Sequence, residues 1–292
     1  SWADSRDLPR ALRVCPPGRD SFLGGRRVAR MEHMAFDEKV AAQLDAFYRT
    51  RDVIRRRELA LAALDAQPAD AVLDIGCGPG FYVAALAEQA ASVTGIDPSA
   101  SMLAMAARKT EGHRNVTLRE GEATALPLDE ASVDRALSVQ VFEYIADIPA
   151  ALAEIHRVVR RGGRVVLWDI DWTTLSWHAD DAERMARMTQ GWDRHLVHPA
   201  LPRTLAAALR AAGFADVRCD AHVFCTTTMD PESFGGNLPT IIGGYLHGLD
   251  DIAEDDIAGW QAELRDLDAR GAYYFALTQC CFSATQPPQR AE

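Results

Sequence analysis

The segment Val72-Leu73-Asp74-Ile75-Gly76-Cys77-Gly78-Pro79-Gly80 restricts this chain more than any other. Its short apolar start suits a strand buried on both faces of a parallel sheet. Three glycines at alternate positions follow, and Phe81 to Ala91 then reads as a helix. Glycines at a strand-to-helix turn permit positive φ and let a ligand lie against bare backbone. The N–H groups at the helix start are free to face that ligand. The segment therefore describes a nucleotide-type site at the carboxyl end of a first strand.

Spacing narrows the nucleotide. A dinucleotide fingerprint requires G-x-G-x-x-G, whereas position 81 is Phe and the third glycine comes one residue early. The Gly-Lys-Ser/Thr of a P-loop is absent. Further landmarks follow in register. Ser92-Val93-Thr94-Gly95-Ile96-Asp97 reads as a second strand ending in a carboxylate, about twenty residues past the first glycine, where an acid can accept both ribose hydroxyls. Pro98-Ser99 opens the next helix, with Ser99 as N-cap and Met102 placed to touch a base. A third strand, Val116 to Arg119, leads into Gly121-Glu122-Ala123 and Leu126-Pro127-Leu128. Ser132 to Gln140 gives strand four and its exit. Asp147 and Pro149 open an amphipathic helix through Val159, Gly162-Gly163 stops it, and Arg164 to Trp168 is strand five.

The D-x-G-x-G-x-G turn, Asp97, the Gly121-Glu122-Ala123 segment and the Gly162-Gly163 turn resemble, motif by motif over residues 71–170, the class I S-adenosylmethionine-dependent methyltransferases. The likeness is to their small-molecule branch, typified by the ubiquinone and menaquinone C-methyltransferases. It implies an α/β, Rossmann-like fold: a mostly parallel seven-stranded sheet with an antiparallel last strand and helices on both faces. It also implies S-adenosylmethionine as cofactor and S-adenosylhomocysteine as product. The cofactor-binding residues carried over are Asp74, Gly76, Gly78, Gly80, Asp97, Pro98, Met102, Glu122, Ala123 and Gln140. Glu122 stands where the family usually has Asp, and its longer arm still reaches an adenine amino group. His156 falls inside the helix-turn-strand phrase EIHRVVRRGGRVVL and is scaffold.

Outside this core the chain is read from pattern. Residues 1–30 hold seven arginines and no sustained periodicity, and read as a disordered leader or appended segment ahead of one methyltransferase domain over 31–292. Within it, 31–70 are expected as cap helices, marked by Phe36, Val40, Leu44 and Phe47, then by Ile54, Leu61 and Leu64. One of Arg51, Arg55 or Arg56 is a partner for the cofactor's carboxylate. Residues 172–202 and 229–270 are expected as lid or substrate insertions that close over the acceptor. The first holds a helix, Asp180 to Leu196, with an Asp180/Glu183 capping box. In the second, 229–251 reads as a glycine-rich insertion, and Ile257, Trp260, Leu264 and Leu267 mark a helix. The strands 216–228 and 272–284 then pair antiparallel.

Composition bounds the acceptor. A formal net charge of -11 disfavours nucleic acid and anionic membranes as partners. Six cysteines show no zinc spacing, and no long apolar run spans a membrane. The protein is read as cytoplasmic, a monomer or homodimer acting on a small, fairly apolar molecule. Strand four exits through Ser138, Val139 and Gln140 without the carboxylates of metal-dependent relatives, so no metal is expected. Acceptor-side candidates are Gln140, Glu143, Tyr144, Asp169, Asp171, Trp172, Trp177, His178, Trp192, His195 and His198. His195 and Tyr144 are the catalytic candidates, and Tyr48, Trp172 and Trp192 the substrate contacts. The competing readings are an NAD(P)-dependent oxidoreductase, a catalytically inactive cofactor-binding subunit, and, through Cys280-Cys281, arsenite methylation.

Overall fold

The alternation read from the sequence is the order of elements in the computed structural model, which describes residues 47–288. They run α1 (Arg51–Leu64), β1 (Ala71–Ile75), α2 (Phe81–Ala87), β2 (Ser92–Asp97), α3 (Ala100–Lys109), β3 (Val116–Glu120) and β4 (Val133–Val139). After a single turn of 3-10 helix (Phe142–Tyr144) come α4 (Ile148–Val158), β5 (Val159–Trp177), α5 (Ala182–Asp193) and α6 (Pro202–Ala211). β6 (Ala215–Thr226), α7 (Phe234–Leu246), α8 (Glu254–Ala269) and β7 (Phe275–Thr285) complete the series. The expected leader and the Phe36 to Leu44 helix lie outside the described residues.

The strands form one seven-stranded sheet in the order β3-β2-β1-β4-β5-β7-β6, parallel except for an antiparallel last strand. β1 is central: Leu73 pairs with Thr94 on β2 and with Ala136 on β4. Its side chains alternate between two cores. Leu73 and Ile75 pack with Leu152 and Ile155 of α4 and Leu205 and Leu209 of α6. Val72 packs with Ala60 and Leu64 of α1 and Val83 and Leu86 of α2. A strand buried on both faces has no polar side to spare, which is why its sequence is apolar except for Asp74, near its carboxyl end. Each fully buried Leu or Val contributes about 1.5–3 kcal/mol.

The chain divides into two compact units. The core unit comprises Arg55–Thr173, His198–His222 and the chain from Thr278. A helical unit comprises the described residues up to Ile54, Thr174–Val197 and Val223–Leu277. In it, α7 spans Phe234–Leu246 where the sequence pattern read a glycine-rich insertion. Ser233 caps this helix by accepting from the Gly236 N–H at 3.0 Å. Helix α5 is capped one residue later than its capping box placed it: Asp181, not Asp180, is the N-cap and accepts from Arg184 N at 2.9 Å. The N–H groups of Asp180 and Asp181 instead both donate to Glu263.

Strand five is also longer than expected. Helix α4 ends because Val159 turns extended (φ -77, ψ 134), so Gly162 and Gly163 lie in β5 and do not stop the helix. Gly163 is required by close approach: a Cβ there would sit 2.7 Å from the Asp134 carbonyl oxygen.

Candidate active site

The site is built at the carboxyl ends of β1, β2, β4 and β5. Gly76, Gly78 and Gly80 all have positive φ, at 68, 49 and 82°. The turn is tied to β2, because Gly76 N and Cys77 N donate to the Ile96 carbonyl at 2.7 and 2.9 Å. Two of the glycines have packing reasons as well. A Cβ on Gly76 would overlap the side chain of Val141, and one on Gly80 would lie 2.8 Å from Ala106 Cα on α3. The turn therefore presents bare backbone while letting α2 and α3 approach closely.

Asp97 at the end of β2 accepts from Gly78 N through Oδ2 at 2.8 Å and from Ser99 N through Oδ1 at 2.9 Å. It both closes the glycine turn and starts α3, where Ser99 accepts from Met102 N. Asp74 is 2% exposed at the end of β1, and its Oδ2 has no hydrogen-bond partner. Burial, then the Asp97 charge, push its carboxyl up to about 8. Gly121 approaches Pro127 closely, and Glu122 and Ala125 form an isolated bridge that shapes the loop after β3. Glu122 is exposed, while Met102 and Ala123 are half-buried.

After β4, Gln140 takes a positive φ of 56°, and its amide N donates to the Trp168 carbonyl at 2.7 Å. Its side-chain oxygen accepts from Arg56 Nη1. Among the three candidate arginines, Arg51 pairs with Asp230 and Arg55 with Glu58, whereas Arg56 is 1% exposed. Arg56 also interacts with Tyr82 and Glu143. Tyr82 carried no sequence signal beyond its place in the first turn after the glycines.

Glu143 and Asp169 are fully buried. Glu143 N donates to Asp169 Oδ1 at 3.4 Å, and Trp172 Nε1 donates to Glu143 Oε2 at 2.9 Å. Tyr144, on the surface, donates to the same carboxylate. Burial raises both acids, Glu143 to about 7 and Asp169 well above its usual range. Asp171 is held by Arg203 Nε at 2.9 Å. The buried position of Trp172 gives it a structural bond to Glu143. Among the described residues, no group of three or more His, Cys, Asp or Glu could hold a metal ion.

Tyr48, Trp192 and His195 belong to the helical unit. His195 lies against Trp192 with ring centroids 3.7 Å apart, its Nδ1 contacts the Trp192 carbonyl, and Tyr245 is 5.4 Å away. Burial lowers its pKa to about 4, so the ring is neutral at physiological pH. Tyr48 packs edge-on against Phe47. Trp177 and His178 are also in this unit, with Trp177 donating to the Tyr273 hydroxyl at 2.9 Å.

Comparison with known proteins converges on the same stretch. Residues 73–167 match the family model described as a methyltransferase domain. An uncharacterized 37.1 kDa protein in transposon Tn4556 of Streptomyces fradiae is 33% identical over 224 residues, 73% of this chain and 64% of that protein. A demethylmenaquinone methyltransferase of Staphylococcus epidermidis is 34% identical over 122 residues, 41% of this chain and 51% of that protein. The chain thus spans between half and two thirds of the length of these curated relatives. The crystal structure of YcgJ from Bacillus subtilis aligns with a TM-score of 0.57 at 19% identity, covering 80% of this chain and 99% of that one. At that identity the likeness speaks to the fold, which is the class I methyltransferase fold.

Proposed function

We propose that this chain, whose residues 73–167 form a methyltransferase domain, transfers a methyl group from S-adenosylmethionine to a small, fairly apolar acceptor. The single observation that carries the reading is the glycine turn with buried Asp74 behind it and Asp97 beside it. Asp74 offers an oxygen without a partner, which an ammonium group would satisfy and whose raised pKa it would lower. Asp97, already holding the turn, has lone pairs left for the ribose hydroxyls. Pro98, Met102, Glu122 and Ala123 enclose the adenine, and Gln140 with Arg56 faces the amino-acid end.

When bound, the cofactor supplies an electrophilic methyl on a sulfonium, and the protein's task is alignment. Holding an acceptor about 3 Å from that methyl, in line with the sulfur, contributes on the order of 7–11 kcal/mol in favourable cases. A proton acceptor is needed only if the acceptor must be deprotonated. Tyr144 is the candidate in the core unit. His195 is the candidate in the helical unit, its neutral ring keeping a lone pair on Nε2 when Nδ1–H is given to the Trp192 carbonyl. Tyr48, Trp172 and Trp192 are proposed for acceptor recognition, in a cytoplasmic setting.

Calorimetry separates this reading from its competitors. S-adenosylmethionine should bind and NAD should not, and Gly78→Val should abolish that binding in a folded protein. Turnover of labelled cofactor against a metabolite mixture then tests activity. Binding of NAD in preference would replace the reading with a dehydrogenase, and binding without turnover would leave a cofactor-holding subunit.

A further inference from the structure

The outer side of an edge strand carries N–H and C=O groups that no neighbour in the sheet can meet, and natural edges are blunted by shortness, charge or a bulge. The two edges of this sheet differ in that respect. β3, at one edge, has five residues, and its Arg119 donates to the Pro127 carbonyl at 2.7 Å. β6, at the other edge, has twelve. In the part of β6 that belongs to the core unit, Arg218, Cys219, Asp220 and Ala221 are all exposed, so neither face of the strand is covered there. Asp216, with a φ of 52°, interrupts regular strand backbone just before this run, and its carboxylate accepts from the Thr285 hydroxyl at 2.8 Å.

The order of charges along the run is what sets it apart. Successive side chains alternate between faces, so Arg218 and Asp220 share one face and flank Cys219 on the other. Consider two copies of this strand paired antiparallel about a two-fold axis through position 219. Arg218 of each copy then stands opposite Asp220 of the other, Val217 opposite Ala221, and Cys219 opposite itself. Opposite charges directly across a ladder stabilise it, and like charges oppose it. An axis one residue earlier sets Arg218 on Arg218, and one residue later sets Asp220 on Asp220. The same operation on β3, about its centre at Leu118, sets Arg119 against Thr117 and Glu120 against Val116, with no opposite charges paired. Of the two edges, β6 is the one complementary to itself.

We propose that two copies of this chain join edge to edge through β6, antiparallel and in register about Cys219, so that one sheet runs through the dimer. The proposal stands on the edge strand and is independent of the cofactor reading.

Sedimentation of the full chain over a concentration series should show a monomer–dimer equilibrium. Asp220→Arg or Arg218→Asp sets like charges across the ladder at two places and should raise the dimer dissociation constant about tenfold or more. The double variant, Arg218→Asp with Asp220→Arg, exchanges the charges and should return that constant to within about threefold of its original value, which separates lost pairing from misfolding. Bis-maleimidoethane, a short thiol cross-linker, should join two chains covalently, an effect kept in Cys280→Ser and lost in Cys219→Ser. A chain that stays monomeric throughout the series overturns the proposal and leaves the edge to a strand of some other protein. A dimer indifferent to the single reversals, a double variant that does not recover, or a cross-link that survives Cys219→Ser overturns it too, by placing the contact elsewhere.

Discussion

The two compact units treat buried polar groups differently. In the core unit the buried charged side chains are mostly acids, and among the described residues Arg56 is the only buried arginine or lysine. In the helical unit several buried polar atoms pair as neutral groups: Trp177 Nε1 donates to the Tyr273 hydroxyl, which donates to the Gly235 carbonyl at 2.8 Å, although the buried Trp260 Nε1 has no hydrogen-bond partner. Gln261 Nε2 likewise donates to the Pro239 carbonyl at 3.1 Å. Its Arg194–Asp251 ion pair lies on the surface. Neutral pairing costs little, whereas buried acids have shifted titration and mark a candidate functional site.

The sharpest way to separate the units is a matched pair of glycines. Gly76 in the core unit and Gly271 in the helical unit share a φ of 68°. A Cβ on Gly76 would overlap Val141, while one on Gly271 would meet nothing within 4 Å. Gly271→Ala should therefore cost only the backbone strain, about 1 kcal/mol, and Gly76→Ala about 3–4 kcal/mol once overpacking is added. Chemical denaturation of both variants measures the difference, and equal losses would mean that Val141 yields freely.

Acid and base should act on the two units with opposite signs. A carboxyl raised in the folded state holds a proton that the unfolded chain has lost, so Asp74 withdraws stability as pH rises from about 4 to about 8. A histidine lowered in the folded state is neutral where the unfolded chain is charged. His195 therefore withdraws stability as pH falls from about 6.5 to about 4, by at most about 3 kcal/mol. Between about pH 4 and 6.5 the two contributions oppose and nearly cancel, and above that melting temperature should fall as pH rises. Asp74→Asn should remove the alkaline fall, and His195→Phe should extend the fall down towards pH 4. A variant with the opposite effect would reassign the titration.

Smaller effects refine the contrast. Asp97→Ala should weaken cofactor binding by roughly 1.5–3 kcal/mol in calorimetry. Because Asp97 also holds Gly78 N and Ser99 N, the variant should lose some thermal stability too, and Asp97→Asn should recover part of it. At the low end, Asp251→Ala in the helical unit removes an exposed partner of Arg194 and should change stability by less than about 1 kcal/mol, an effect that salt abolishes.

The fold was legible because its signals are local. The mostly apolar Val72 to Ile75 and the caps Ser99 and Asp147 each need only near neighbours. Helix α7 was not legible. Its sequence FGGNLPTIIGGYL contains four glycines and an internal proline, all poor helix formers. Tertiary contact decides it: Gly235 lies against the Phe275 ring and Gly243 against Gln261, approaches that a side chain would prevent. The candidate site divides the same way. The glycines and Asp97 could be named from spacing. The common burial of Arg56, Glu143 and Asp169, from three separate elements, exists only once the sheet has formed.

Sheet order also has a consequence in time. β7 follows β6 in sequence yet lies between β5 and β6. While the chain is being synthesised, β1 to β5 can pair among themselves, but β6 emerges with no neighbour to join. It waits through α7 and α8, more than forty residues, until β7 appears. During that interval β5 and β6 each present an open edge, the form of backbone most prone to pairing with another chain. At about 5–20 residues per second the exposure lasts several seconds. The last strand thus acts as the lock of the sheet. Codon choice and chaperone supply over Val223–Leu277 should govern the yield of folded protein more than they would anywhere upstream.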